Sequence, residues 1–244
     1  MMDGNSGAVS TGGLVSGVDG TSVLPRPRMV LIDLDGTLVD TVPDLAYATD
    51  VMMQRLGLPE RGEPAVRTWI GNGVERLVKR ALLGTVDGEP DDELYARAYP
   101  IFLEVYEANV CTYSRLFPGV TEGIAYLKEL GVPLGCVTNK PARFTEPLLR
   151  QLGLYDSFGI VVSGDTLTEK KPHPAPLLHA ASHFKVAPGE CLLIGDSIND
   201  VQAARAAGFG ILCVTYGYNH GQDIRQARPD AVVDSLASLA QVLA

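Results

Sequence analysis

The stretch Val30–Asp40, VLIDLDGTLVD, leaves a chain few ways to fold. Met29–Ile32 is a short aliphatic run, the pattern of a strand buried on both faces. It ends abruptly at Asp33 and Asp35, two carboxylates one residue apart. Burying unpaired charge is costly, so a buried strand does not normally end in a pair of acids. Gly36 follows and allows a backbone turn that other residues resist. In a parallel α/β sheet, ligands bind just beyond the carboxyl ends of the strands. Asp33 and Asp35 are placed at that edge.

The pattern downstream of this strand is helical for a long way. Thr41, Pro43 and Asp44 have the spacing of a helix start, with Thr41 as cap and Asp44 at the capping-box position. Apolar residues then recur at helical spacing from Leu45 to Leu56. Further helices are expected over Pro64–Ile70, Val74–Leu83 and about Asp91–Asn109, with a break at Gly71-Asn72-Gly73. After Pro118 and Gly119 the pattern changes. Helices at Val120–Leu130, Pro141–Leu152, Pro174–Phe184 and Ile198–Ala207 alternate with strands at Pro133–Thr138, Gly159–Ser163, Cys191–Asp196, Ile211–Thr215 and Ala231–Val233. Such alternation means a parallel sheet with helices on both faces. About a hundred residues separate the first two strands, far more than an ordinary crossover. The segment 41–116 is therefore expected to be an inserted all-helical cap. The core then comprises 29–40 and 117–244. Residues 1–28, rich in Gly and Ser, read as a disordered extension without the basic start and apolar run of a signal peptide.

The net charge of −9 argues against nucleic acid or an anionic membrane as partner. No apolar run is long enough to span a membrane. The four cysteines form no Cys-x-x-Cys pair, and Cys136, Cys191 and Cys213 lie in apolar runs. That fits small buried hydrophobes in a reducing, cytoplasmic setting better than a zinc site or disulfides.

Three more segments carry polar groups at strand ends: Thr138-Asn139-Lys140, Lys170-Lys171-Pro172, and Asp196-Ser197-Ile198-Asn199-Asp200. Alone, each reads as an ordinary cap or turn. Together they bring Asp33, Asp35, Asp196 and Asp200 to one crevice, facing mainly Lys171. Clustered carboxylates resist joint ionisation unless a cation joins them. A hard divalent ion, Mg²⁺, suits a few carboxylates, water and a phosphate oxygen.

The string Asp33-x-Asp35-Gly36-Thr37-Leu38-x-Asp40, with these later segments in this order, resembles the four motifs of the haloacid dehalogenase (HAD) superfamily. The resemblance covers Met29 to about Val233. It implies a Rossmann-like α/β core with a helical cap. It further implies Asp33 as nucleophile, Asp35 as general acid and base, and Thr138 and Asn139 as phosphoryl-binding groups. Lys171 would balance charge, with Lys170 as the weaker candidate. Asp33, Asp35 (through its carbonyl) and Asp196 would hold magnesium, and Asp200 would orient the metal shell. Pro174-Ala175-Pro176 stands where the family often has Pro-Asp-Pro, a change expected to touch helix stability more than chemistry.

Trp69–Gly73 and Val214–Gly221 resemble the branch of the family that cleaves 2-phosphoglycolate. This implies a small phosphomonoester substrate, with Gly71, Asn72 and Gly73 meeting it from the cap. Alternatives are a sugar phosphatase or a phosphoglucomutase-like transferase. A receiver-type phospho-acceptor domain would also phosphorylate an aspartate at a strand end, but needs a lasting phosphoryl group. Asp35, two residues on, is placed to hydrolyse it. The expected assembly is a monomer or homodimer.

Overall fold

The computed structural model describes residues 15–16 and 22–243. Most of the extension expected over 1–28 lies outside these residues. Val15–Ser16 (β1) pairs with Ser22–Val23 (β2). From there the chain is tied to the core rather than loose. Leu24 is buried, bridges to Leu243, and its amide donates to the Val242 carbonyl. An apolar residue beside a C-terminal apolar helix gains more by burial than by exposure.

Met29–Ile32 (β3) is fully buried. Its side chains alternate between faces as a strand requires. Met29 and Leu31 join one hydrophobic cluster, Val30 and Ile32 the other. Two further strands are short. Val39–Asp40 (β4) and Arg115–Leu116 (β5) form an antiparallel ribbon with Asp40 opposite Arg115. The remaining strands are Leu134–Val137 (β6), Ile160–Val162 (β7), Cys191–Gly195 (β8), Gly210–Val214 (β9) and Ala231–Val233 (β10). Together with β3 they build one sheet of order β10-β9-β8-β3-β6-β7, paired in parallel throughout.

From β3 the chain proceeds to β6 and β7 on one side, then crosses back to β8 on the other. β3 is thus the switch point, and its carboxyl end opens into a crevice between diverging connections.

Helices Val42–Arg55 (α1), Gly62–Arg67 (α2), Val74–Leu83 (α3) and Asp92–Ala108 (α4) all fall between the two ribbon strands. The second starts and stops earlier than the periodicity suggests. Gly62 adopts φ +73° there, and its amide is held by Asp50 Oδ1 at 3.1 Å. Val120–Glu129 (α5) and Ala142–Gln151 (α6) pack on the Val30 side of the sheet. Ala175–Phe184 (α7) and Ile198–Ala207 (α8) pack on the Leu31 side. A short helix, Leu239–Val242 (α9), closes the chain.

The expected capping box at Thr41 and Asp44 does not form. Both side chains have stronger claims on them. Asp44 accepts from the Tyr113 amide and from the Ser114 amide and hydroxyl. Thr41 donates its hydroxyl to Asp35 Oδ1 at 2.7 Å. At α7, the missing acidic cap is replaced from outside the helix, because His173 Nδ1 accepts from the Ala175 amide at 3.2 Å.

Candidate active site

The loops following β3, β6 and β8 converge with the carboxyl edge of the sheet. Asp33 and Asp196 are the first residues after β3 and β8. Asp200 sits in the first turn of α8. Asp33, Asp196 and Asp200 each bring a carboxylate oxygen within 4.8 Å of the others, and all three are buried.

Lys171 is the hub of this cluster. Its Nζ lies 2.7 Å from Asp33 Oδ1, 2.7 Å from Asp200 Oδ1 and 2.8 Å from the Val137 carbonyl. An ammonium has three donors, and all three are used. Asp200 accepts on its other oxygen from the Ser197 amide and hydroxyl, at 3.1 and 2.6 Å. Asp200 is therefore an anchor for Lys171 and for the start of α8.

Asp196 accepts from the Thr37 hydroxyl at 2.9 Å and from the Tyr218 amide at 2.5 Å. Glycine makes this packing possible. A Cβ at Gly36, whose φ is +90°, or at Gly217 would overlap the Asp196 carboxylate.

Asp35 faces a second buried cation that the sequence reading passed over. Lys140 Nζ lies 2.8 Å from Asp35 Oδ1 and 5.0 Å from the centre of the Tyr106 ring. The carboxylates therefore do not face mainly Lys171. Four aspartates face two buried lysines, an excess of two negative charges. Lys140 was legible only as the residue after Asn139. Tyr106 of α4 lies over it, and that ring is itself packed against Phe144 of α6.

The charges shift accordingly. Burial pushes the Asp33 carboxyl up to about 7; Lys171 opposes this, while Asp200 and Asp35 add to it. Burial, then Asp33 and Asp200, raise Asp196 well above the ordinary carboxylate range. For Lys171 burial works downward, but Asp200 and Asp33 outweigh it and the ammonium is held. Asp35 does the same for Lys140. A buried cluster whose carboxylates resist ionisation is a cluster short of positive charge. Its donor set, all oxygen and mostly carboxylate, fits a hard divalent cation.

A cleft of about 480 Å³, its open mouth included, lies between this edge and the helical segment. Asp33, Asp35, Thr138, Asn139, Lys140 and Lys171 line it from the core. Gly71 and Gly73 line it from the turn before α3. Asn72 is not among its lining residues, because the turn directs its two glycines inward with φ of +115° and +85°. The Asn139 side chain does not point freely at the cleft. Its amide nitrogen donates to the Gly71 carbonyl at 3.0 Å and to the Lys171 carbonyl at 2.8 Å. Asn199, given no role by the sequence, also donates to the Gly71 carbonyl, at 3.3 Å. The turn is thus docked on the core by two asparagines. Lys170 does not line the cleft, although its Nζ reaches close to Gly73.

The segment 214–221 also meets the helices. Tyr218 accepts from the Thr41 amide at 3.0 Å, donates to Asp40, and carries the Arg67 guanidinium 5.3 Å over its ring. His220 Nδ1 lies 2.8 Å from the Thr68 carbonyl.

A parallel sheet with its switch point at β3, and paired carboxylates over a buried lysine, define a hydrolase site built at strand ends. Residues 27–208 match the family of haloacid dehalogenase-like hydrolases, and the chain belongs to that family. It is 62% identical over 91% of its length to the phosphoglycolate phosphatase of Nitrosococcus oceani, covering 98% of that protein. It is 53% identical over 88% of its length to that of Thiobacillus denitrificans, covering 96% of it. Its fold is similar to the crystal structure of a predicted phosphoglycolate phosphatase from Haemophilus somnus 129pt, with a TM-score of 0.83 and 37% identity. That likeness covers 88% of this chain and 97% of the other.

Proposed function

We propose that this enzyme hydrolyses 2-phosphoglycolate to glycolate and phosphate, with Mg²⁺, through an aspartyl phosphate on Asp33. The observation that carries the reading is the pairing of Asp33 and Asp35 on one wall of a small cleft, each with its own buried lysine. The phosphoglycolate phosphatases among its relatives support the choice of substrate.

Asp33 and Asp196, with the Asp35 carbonyl, would hold the ion, which supplies positive charge for the phosphoryl group. Lys171 fixes Asp33 Oδ1, leaving Oδ2 to attack phosphorus. As the Asp33–phosphorus bond forms, the ester bond breaks and Asp35 gives its proton to the leaving oxygen. Asp35 then takes a proton from water, which attacks phosphorus and frees Asp33. Thr138 donates to the phosphoryl oxygens, and the Asn139 backbone amide assists. The contribution of the protein is positioning and charge placement, as phosphoryl transfer demands.

The segment 41–116 serves as a cap hinged at the β4–β5 ribbon. Its Gly71–Gly73 turn closes on the substrate, and the free amides at the start of α3 offer an anion seat.

The test is phosphate release from a panel of small phosphomonoesters with Mg²⁺ present. A preference for 2-phosphoglycolate over hexose phosphates of about tenfold or more, about 1.4 kcal/mol, is expected. A preference of that size for a sugar phosphate would replace this substrate. A phosphoprotein that accumulates without turnover would instead favour the receiver reading.

A further inference from the structure

An acidic protein that takes a substrate with both a phosphate and a carboxylate must supply a cation for each. The phosphate end has Lys171 nearby, yet Lys171 has no donor to spare. Its three donors are consumed by Asp33, Asp200 and the Val137 carbonyl.

Lys140 is different. It lines the same cleft, and its ammonium donates to Asp35 Oδ1 at 2.8 Å. Tyr106 lies against another side of the ammonium, its ring centre 5.0 Å away, and its hydroxyl takes at most one more of the three donors. At least one donor therefore remains. The ammonium is also pre-placed: its side chain is 2% exposed, so the entropy of ordering a lysine was lost on folding and not on binding.

Position decides which end of the substrate it meets. Asp35 is the group assigned to the leaving oxygen. In a two-carbon acid phosphate a single methylene separates that oxygen from the carboxylate. The Lys140 ammonium, 2.8 Å from Asp35 Oδ1, is therefore within reach of a carboxylate one methylene from that oxygen. Leu45, Ile70, Val74 and Leu77 form the opposing apolar wall, which excludes water and strengthens a charge pair.

We infer that Lys140 is the specificity-determining residue of this site, the cation that binds the carboxylate of a short acid phosphate. This rests on the substrate reading above, and deepens it by naming the side chain that recognises the acid.

The experiment compares kcat/KM for 2-phosphoglycolate and for 2-hydroxyethyl phosphate, which has the same ester but an uncharged end. Wild type and Lys140→Met are measured with Mg²⁺. Loss of Lys140 disturbs Asp35 for both esters, so the ratio is the readout. The ratio should fall about thirtyfold in the variant, the span of one charge-assisted hydrogen bond. In calorimetry, 3-phosphonopropionate should lose affinity for the variant by a similar factor, and ethylphosphonate by far less. Equal losses on both esters, and on both phosphonates, would overturn the assignment while leaving the substrate reading intact. A wild type with no preference for the carboxylate ester would overturn both. Should Lys140→Met fail to fold, Lys140→Gln, which keeps a donor without the charge, carries the same comparison.

Discussion

Asp44 holds Ser114 by two hydrogen bonds on one oxygen, from the amide at 2.7 Å and the hydroxyl at 2.6 Å. The pair joins the first turn of α1 to the strand that leads back into the core. Asp44 is fully buried, and among the described residues its carboxylate oxygens accept from these donors and the Tyr113 amide. Removing the acceptor leaves buried amides unsatisfied. Asp44→Ala should cost about 3 kcal/mol of stability, from lost charged hydrogen bonds. Urea unfolding is the check. A loss under about 1 kcal/mol, the value of a single neutral hydrogen bond, would show that the clasp is dispensable.

Asp33→Asn should lower kcat by at least about a thousandfold, about 4 kcal/mol in the barrier, with the fold retained. Its amide cannot attack phosphorus. Asp35→Asn should also abolish turnover but leave Asp33 able to attack, so phosphoenzyme accumulates. Phosphate release and intact-protein mass spectrometry separate the two. Asp33→Asn activity within about tenfold of wild type would refute the nucleophile assignment.

Chelation should abolish activity, Mg²⁺ should restore it, and Ca²⁺ should inhibit through its larger, looser coordination. The pH dependence has a definite sign. Asp33 is raised to about 7, chiefly by burial, from an ordinary value of 3.8. Its contribution to stability is present below about pH 4 and is lost as pH rises through about 7 in the metal-free protein. A cation needs the carboxylate form, so binding below about pH 7 must expel a proton. Apparent Mg²⁺ affinity should weaken about tenfold per pH unit there, about 1.4 kcal/mol each. Calorimetric titration at pH 5.5 and pH 8 tests this. The rise in Tm on adding Mg²⁺ should accordingly be larger at pH 8.

Gly217→Ala should damage the cation site more than the fold. The new methyl overlaps Asp196 and must displace its carboxylate. Mg²⁺ affinity should fall about tenfold or more, while Tm of the metal-free protein shifts by only a few degrees. Equal loss at Gly189→Ala, where a Cβ meets open space, would show that the effect is not steric.

Periodicity and punctuation alone determined the order of elements. The bounds of α3, α8 and β10 coincide with the apolar patterns, since each buries one face or both and is delimited by glycine or a polar cap. The aspartates at strand ends were legible because carboxylates interrupt apolar runs there. What the sequence could not disclose was partnership. Thr41 and Asp44 have the spacing of a capping box, yet both answer to residues that folding brings near, Asp35 and Ser114. Lys140 stands in the sequence only as the last residue of an ordinary cap or turn, Thr138-Asn139-Lys140. Only the folded chain brings Tyr106 over it and Asp35 beside it, making it a buried cation. Asn199 is one polar residue in a helix start until the Gly71 turn docks against it. Local sequence carries backbone propensity and burial pattern, which are properties of neighbours in the chain. Charge balance and hydrogen-bond choice depend on residues a hundred positions apart, and only the tertiary structure decides them.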